Sequence, residues 1–187
     1  MNEKRLRPWR ILSSDYRIET KFLRLRVDRV ELPSGIVVED YFVRESHGFA
    51  VVFALTPDEN VILVRQYKHG VREIITELPA GMIDEDESPA TCAARELTEE
   101  TGYTGSDPVL VRTFLADPTN ATGRFHLFVV RDATPTHRPQ FDLTEEIEVE
   151  LAPIPEVRAM ALDGRIAAGS QVAAVLVALD YLGRLSS

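Results

Sequence analysis

A single cysteine, Cys92, leaves the chain unable to form an internal disulfide or a cysteine zinc cluster, a usage that suits a reducing compartment. Apolar runs are short, and none approaches the roughly 18 residues that a membrane-spanning helix needs. The start, MNEKRLRPWRIL, has basic residues but no apolar stretch behind them, so a signal peptide is not expected. These absences lead to the expectation of a cytoplasmic protein. Positive charge is also scarce: 21 Lys and Arg stand against 30 Asp and Glu, for a net charge of −9. With no basic run and no overall positive field to attract phosphates, non-specific nucleic-acid or anionic-membrane binding is disfavoured. A phosphate ligand here would need the help of a metal ion. The four histidines, His47, His69, His126 and His137, share no metal-ligand spacing and read as surface or hydrogen-bonding residues. Internal repeats and low-complexity tracts are absent as well.

What remains is the composition of an ordinary soluble domain, 187 residues with 44% hydrophobic and 27% charged residues, long enough to bury a sizeable core. Residues 21–45 hold two β-rich runs around Pro33-Ser34-Gly35, whose turn chemistry predicts a hairpin. FAVVFAL and VILVRQY, joined by residues 56–60, predict a second and more apolar hairpin in a central sheet. REIITELPAG predicts a short strand ending at Pro79 and Gly81, and VLVRTFLA and RFHLFVVRD two more strands. From Ile154 to Leu185 the spacing becomes helical and alanine-rich, broken by Gly164 and Gly169 into two helices. Strands mixed with a central and two terminal helices define an α/β (α+β) layered fold. A boundary near residue 47 separates an expected N-terminal antiparallel β unit, 1–46, from a main domain, 47–187.

The central segment, GMIDEDESPATCAARELTEETGY, concentrates the chemistry. Ser88-Pro89 is a good helix start and Gly102 a good stop. Within that helix Glu96, Glu99 and Glu100 fall at i, i+3 and i+4, while Ala90, Ala93, Ala94 and Leu97 form an apolar side. Like charges at this spacing cost about 0.2–0.5 kcal/mol per pair, relieved in part where Arg95 reaches Glu99 one turn on. Two readings follow: a solvated glutamate face, the ordinary fate of such a string, or a seat for a hard divalent cation, which turns the repulsion into attraction. Magnesium, with its preference for oxygen ligands and phosphate-bearing substrates, suits carboxylates that lack His and Cys partners.

The wider spacing favours the second reading. Gly81, Glu87, Arg95-Glu96-Leu97, Glu99-Glu100 and Gly102 together resemble the Nudix box, with Tyr103 standing where the family usually has an aliphatic residue. The resemblance implies a Nudix fold, a mixed central sheet sandwiched between helices with a small N-terminal antiparallel sheet. It also implies roles: Glu96, Glu99, Glu100 and the Ala80 carbonyl as Mg2+ ligands (Mn2+ as an alternative), Arg95 orienting the glutamates, and Glu87 supporting the loop. The N-terminal hairpin, VILVRQYK, ELPAGMID, Pro118 and the tail GRIAAGSQVAAVLVALDYL further resemble the ADP-ribose pyrophosphatase and nucleoside-diphosphate-sugar hydrolase branch. That branch implies a homodimer whose N-terminal unit helps bind the nucleoside; Trp9, Phe22 and Tyr41 of that unit are candidate stacking residues, with core packing, the commoner role of aromatic side chains in strands, as the alternative. It also implies a nucleotide-sugar substrate, contacted by Arg65, Lys68, Arg72, Glu77 and Pro118. Two positions depart from the branch: Lys68 replaces the usual Arg, which alone could make a bidentate phosphate contact, and Gly123 stands where an acid is common.

A general base is expected on the acidic loop before the last strand, where Glu145 and Glu146 lie; a charged strand entry is the alternative for both. Cys92, among small residues of the box helix, reads as a packing residue. Other functions compatible with the box are hydrolysis of oxidised nucleoside triphosphates and nucleotide sensing without turnover. Sensors commonly lose box glutamates and carry a DNA-binding appendage, and neither feature is present. Isopentenyl diphosphate isomerase chemistry needs a cysteine outside the box, and the sequence has none.

Overall fold

A computed structural model describes residues 6–141 and 146–185. The chain divides into two compact units, residues 1–46 with 115–123, and residues 47–114 with 124–187. The first unit is an antiparallel sheet in the order β1-β2-β3, from β1 (Arg10–Glu19), β2 (Arg24–Glu31) and β3 (Val37–Glu45). The β2–β3 hairpin turns where the Pro-Ser-Gly signal predicts it: Leu32 N–H donates to Ile36 O (2.8 Å), and Gly35 adopts φ +84°. In this small sheet a polar cluster is buried. Asp28, 3% exposed, takes a two-pronged contact from Arg26 (2.8 and 2.9 Å) and a hydrogen bond from the Ser14 hydroxyl (2.6 Å). Burial alone would raise the Asp28 carboxyl, but the Arg26 and Ser14 hydrogen bonds outweigh it, and its pKa is lowered. Residues 115–123 belong with this sheet through Tyr41, whose hydroxyl donates to Thr119 O (2.5 Å), and Asn120, whose side-chain amide donates to Phe42 O (3.0 Å).

The second unit is built from β4 (Phe49–Ala54), β5 (Asn60–Lys68), β6 (Glu73–Glu77), β7 (Ala80–Met82), α1 (Pro89–Thr101), β8 (Tyr103–Thr104), β9 (Val109–Leu115), β10 (Arg124–Val130), β11 (Thr134–Pro135), β12 (Ile147–Pro153), α2 (Ile154–Asp163) and α3 (Gly169–Tyr181). Its sheets run β7-β4-β10-β9 and β12-β5-β6, with a small β11-β8 pair. β4 and β10 are parallel, whereas β4 and β7 are antiparallel, so the sheet is mixed. The expected hairpin between FAVVFAL and VILVRQY does not form. The chain does turn at residues 56–60, with Thr56 N–H donating to Asn60 O (2.9 Å), but the strands share one bridge, Leu55 to Val61, and then enter different sheets. Their near-continuous apolar runs explain this, because each is covered on both faces and needs partners other than the other. REIITELPAG likewise yields two strands, β6 and β7, in separate sheets, with the break at Leu78-Pro79.

Alternation along the strands distributes side chains to two cores. Val51 and Phe53 of β4, Leu63 of β5 and Leu127 of β10 join Val175 and Leu179 of α3 on one face. Their sequence neighbours Val52, Ile62 and Phe128 join Ala93 and Leu97 of α1 on the other. The layers are therefore sandwiched between α1 on one side and α2 with α3 on the opposite side, with Arg95 and Glu99 of α1 at its edge and Glu100 buried.

Candidate active site

The box helix is capped at both ends as its sequence dictates. The Ser88 hydroxyl accepts from Thr91 N–H (3.1 Å), Pro89 occupies the first turn, and Gly102 closes the helix in the left-handed conformation at φ +76°. The helix thereby presents a fixed set of carboxylates. Arg95 ties them together: Nε and Nη2 each donate to Glu87 at 2.8 Å, Nη1 donates to Glu96 (2.7 Å) and Glu99 (3.0 Å), and Nη2 also reaches Met82 O (3.1 Å). One guanidinium thus spans the loop and the helix, a geometry that its planar fork of donors permits and a lysine ammonium would not. The Arg95 hydrogen bonds outweigh burial and hold the Glu87 carboxyl below its usual range, and Glu87 in turn raises the Arg95 pKa.

Glu100 is set apart from this clamp. It is 4% exposed, and its Oε2 accepts from the amide of Ala80 at 2.9 Å, which fixes the last carboxylate against β7. Next to Ala80, Gly81 makes room for Glu96: a Cβ at Gly81 would fall 1.9 Å from the Glu96 carboxyl. Here the glycine is required by close approach and not by an unusual φ. Leu78, at the entry to this turn, is held by Gln171 of α3, whose Oε1 accepts from Leu78 N–H (3.1 Å) and whose Nε2 donates to Leu78 O (3.4 Å). Sequence reasoning missed this residue. The available signal was one uncharged polar amide in the alanine-rich helix, buried to 3% exposure.

The remaining candidates lie in different surroundings. Arg65 pairs with Glu148 (3.0 Å) and Glu150 (3.3 Å) of β12, and Lys68 pairs with Glu77 of β6 (3.2 Å). Arg72 is exposed on the β5–β6 turn with φ +62°. Pro118 belongs to the first unit. Glu146 is exposed immediately before β12, and Glu145 lies outside the described residues. Trp9 and Phe22 are exposed, 47% and 92%, and Trp9 meets Tyr41 edge-on at 5.5 Å between ring centroids.

The donor set of the box is chemically suited to a hard divalent cation. It consists of glutamate carboxylates, with Glu96 seated in a cradle that any side chain at Gly81 would fill. The carboxylates are not gathered as a ready three-residue metal cluster among the described residues; Arg95 draws Glu96 and Glu99 to one side, and the Ala80 amide holds Glu100. Cys92 takes no part in this chemistry. It is fully buried, its Sγ lies 3.5 and 3.4 Å from the carbonyls of Gly81 and Met82, and burial, followed by the charges of Glu96 and Glu87, pushes its thiol up to about 12. At pH 8 only about one molecule in ten thousand would carry the reactive thiolate, so a thiol-specific colorimetric reagent should leave the native protein unmodified and label it fully after denaturation. Rapid labelling of the folded chain would contradict the buried placement.

Comparison with known proteins shows the family. Residues 46–173 match the NUDIX domain, and residues 9–43 match the nucleoside diphosphate sugar hydrolase N-terminal domain. The chain belongs to the Nudix family. It is 35% identical over 111 residues to the methanol dehydrogenase activator of Bacillus methanolicus, a match covering 59% of this chain and 60% of that protein. It is 32% identical over 130 residues to the ADP-ribose pyrophosphatase of Bacillus subtilis (strain 168), covering 69% and 70% respectively. The crystal structure of an ADP compounds hydrolase shares the fold, with a TM-score of 0.82 at 22% identity over 97% of this chain and 99% of that one.

Proposed function

We propose that this chain is a magnesium-dependent pyrophosphohydrolase acting on ADP-ribose or a related nucleoside diphosphate sugar, releasing a nucleoside monophosphate and a sugar phosphate. The observation that carries the reading is the box itself, with Glu87, Glu96 and Glu99 converging on Arg95 while Glu100 is anchored separately on Ala80. The match of residues 9–43 to a nucleoside diphosphate sugar hydrolase domain supports the substrate class, as do relatives named for ADP-ribose. Glu96, Glu99, Glu100 and the Ala80 carbonyl would hold Mg2+, with Mn2+ as an alternative. When bound, the metal supplies charge neutralisation of the diphosphate and an acidified water.

The chain's own groups do the positioning. Arg95 restrains two glutamates that repel each other, and Gly81 lets Glu96 approach the β7 backbone. Glu146, or Glu145 beside it, would accept the proton of the attacking water as it adds to phosphorus and the bridging oxygen leaves. Arg65, Lys68 and Arg72 are the cations proposed for the substrate phosphates, with Glu77 holding Lys68 in place and Pro118 shaping its loop. The exposed apolar residues of the first unit, among them Trp9, Ile11, Phe22 and Phe42, support a homodimer built through that sheet. No helix among the described residues is long and apolar enough to cross a membrane.

The test is phosphomonoester release from ADP-ribose, GDP-mannose, UDP-glucose, dinucleoside polyphosphates and 8-oxo-dGTP, with magnesium and with chelator. Cleavage of a nucleotide sugar that stops with chelator is the expected result. Silence across the panel, with tight ADP-ribose binding, would instead mark a sensor, and preference for 8-oxo-dGTP would move the substrate class to oxidised triphosphates.

A further inference from the structure

Within the second unit, a cavity of about 420 Å³ lies between the flank of α1 and the segment leading from β11 towards β12. The helix side contributes Ala94, Thr98, Arg95 and Glu99, and the loop side contributes Arg138 and Gln140. The loop is fixed to the end of the helix by backbone bonds: Gln140 N–H donates to Glu99 O (2.8 Å), and His137 N–H donates to Gly102 O (3.0 Å). Residues 137–140 of the wall are thereby tied to the C-terminal end of α1.

Its electrostatics are uneven. Arg95 and Glu99 neutralise each other at 3.0 Å, whereas Arg138 forms no hydrogen bond or ion pair among the described residues. Among the described residues, Arg138 is thus the cation of this cavity whose charge no carboxylate offsets, in a chain of net charge −9. The helix flank offers an apolar strip, the Ala94 methyl and the Thr98 methyl, since the Thr98 hydroxyl is already committed to Ala94 O (2.9 Å), while Thr91, His137 and Gln140 complete the lining with polar groups. The volume falls within the roughly 300–1,000 Å³ of ordinary ligand sites and far exceeds that of a bare phosphate ion.

We propose that this cavity binds a small organic phosphate monoester, its phosphate on Arg138 and its organic body over Ala94 and Thr98, as a site apart from the carboxylates facing β7. A guanidinium is suited to such an oxyanion because it can donate two parallel hydrogen bonds. Because Arg95 and Glu99 form part of the wall, an occupant would touch the clamp that positions Glu96, which gives the site a physical route to modulate the box. The site does not depend on the hydrolase assignment: its ligand could be a product of that reaction or an unrelated effector of the same chemistry.

Calorimetric titration of the full chain, in chelator so that metal-assisted phosphate binding is suppressed, provides the test. The probes are ribose 5-phosphate, phenyl phosphate and inorganic phosphate. At least one organic ester is expected to bind saturably, at least about tenfold more tightly than inorganic phosphate, and Arg138→Glu should weaken it by at least about tenfold. Substrate turnover by Arg138→Glu in phosphate-free buffer should match the parent. Absence of saturable binding, or binding that ignores Arg138→Glu, would overturn the site. Equal binding of inorganic phosphate would overturn the role of the apolar strip, and a raised KM in the variant would place Arg138 on the substrate path instead. A melting-temperature change without a binding change would reduce Arg138 to a cation complementing the end of α1.

Discussion

Replacing Glu100 by glutamine should lower kcat on the order of 10³-fold, comparable to the larger losses seen when one group that stabilises transition-state charge is removed. The substitution is nearly isosteric, and the new side chain retains a carbonyl oxygen that can accept from Ala80 N–H, the 2.9 Å bond made by Glu100. The anchor to β7 therefore survives while the negative charge does not. In the parent this carboxyl lies in a site only 4% exposed, where a charge is far more influential than in water. Circular dichroism and melting should report a folded variant, and phosphate release at saturating substrate and magnesium should report the loss. Near-parental turnover by a folded protein would remove Glu100 from the site. A variant that fails to fold can be replaced by Glu100→Asp, which keeps the charge but shortens its reach, and for which a smaller but clear drop is expected.

Gly81→Ala should separate activity from stability. The added methyl would sit 1.9 Å from the Glu96 carboxyl, so Glu96 must move. It is the flexible end of a side chain that yields, and Gly81 does not have positive φ, so the backbone tolerates alanine. Losing a glycine can even stabilise by about 0.4–1 kcal/mol through the unfolded chain. The melting temperature is then expected to stay within about 4 °C of the parent, while activity falls by about 10–100-fold, the scale for disturbing a ligand or its support. A second substitution sharpens the test. Glu96→Asp shortens the displaced side chain, so the double variant should be more active than the product of the two single losses predicts, a coupling expected only of residues in contact. Strict additivity would mean that Gly81 and Glu96 do not meet.

The parts of the site that were legible before the structure are those determined by local chemistry. Ser88, Pro89 and Gly102 delimit α1 because capping is decided within a turn of the residue that does it. The Arg95–Glu99 pair follows from helical spacing alone. What the sequence did not disclose depends on partners distant in the chain. Whether FAVVFAL and VILVRQY pair with each other or with β10 and β12 is settled by which faces the helices cover, and uninterrupted apolar runs do not reveal this. β1 was not anticipated because RILSSDYRIE has little apolar alternation and lies almost wholly exposed. Arg95 to Glu87, Glu100 to Ala80 and Gln171 to Leu78 are all contacts made across a loop or between elements, invisible to periodicity.

The parallel pairing of β4 with β10 sets an order on synthesis. Phe49 lies opposite Phe125 and Ala54 opposite Val130, so the strand nearest the start of the unit finds this neighbour only after the box helix and everything up to residue 130 has left the ribosome. Until then β4, almost entirely apolar, has β7 as its ladder partner on one edge and leaves the other edge open. Such distant closure is slow compared with hairpin formation and leaves sticky strands waiting. Nascent chains stalled before residue 124 should accordingly be captured by chaperones and cleaved readily by proteases, and those stalled well beyond β12 should resist both.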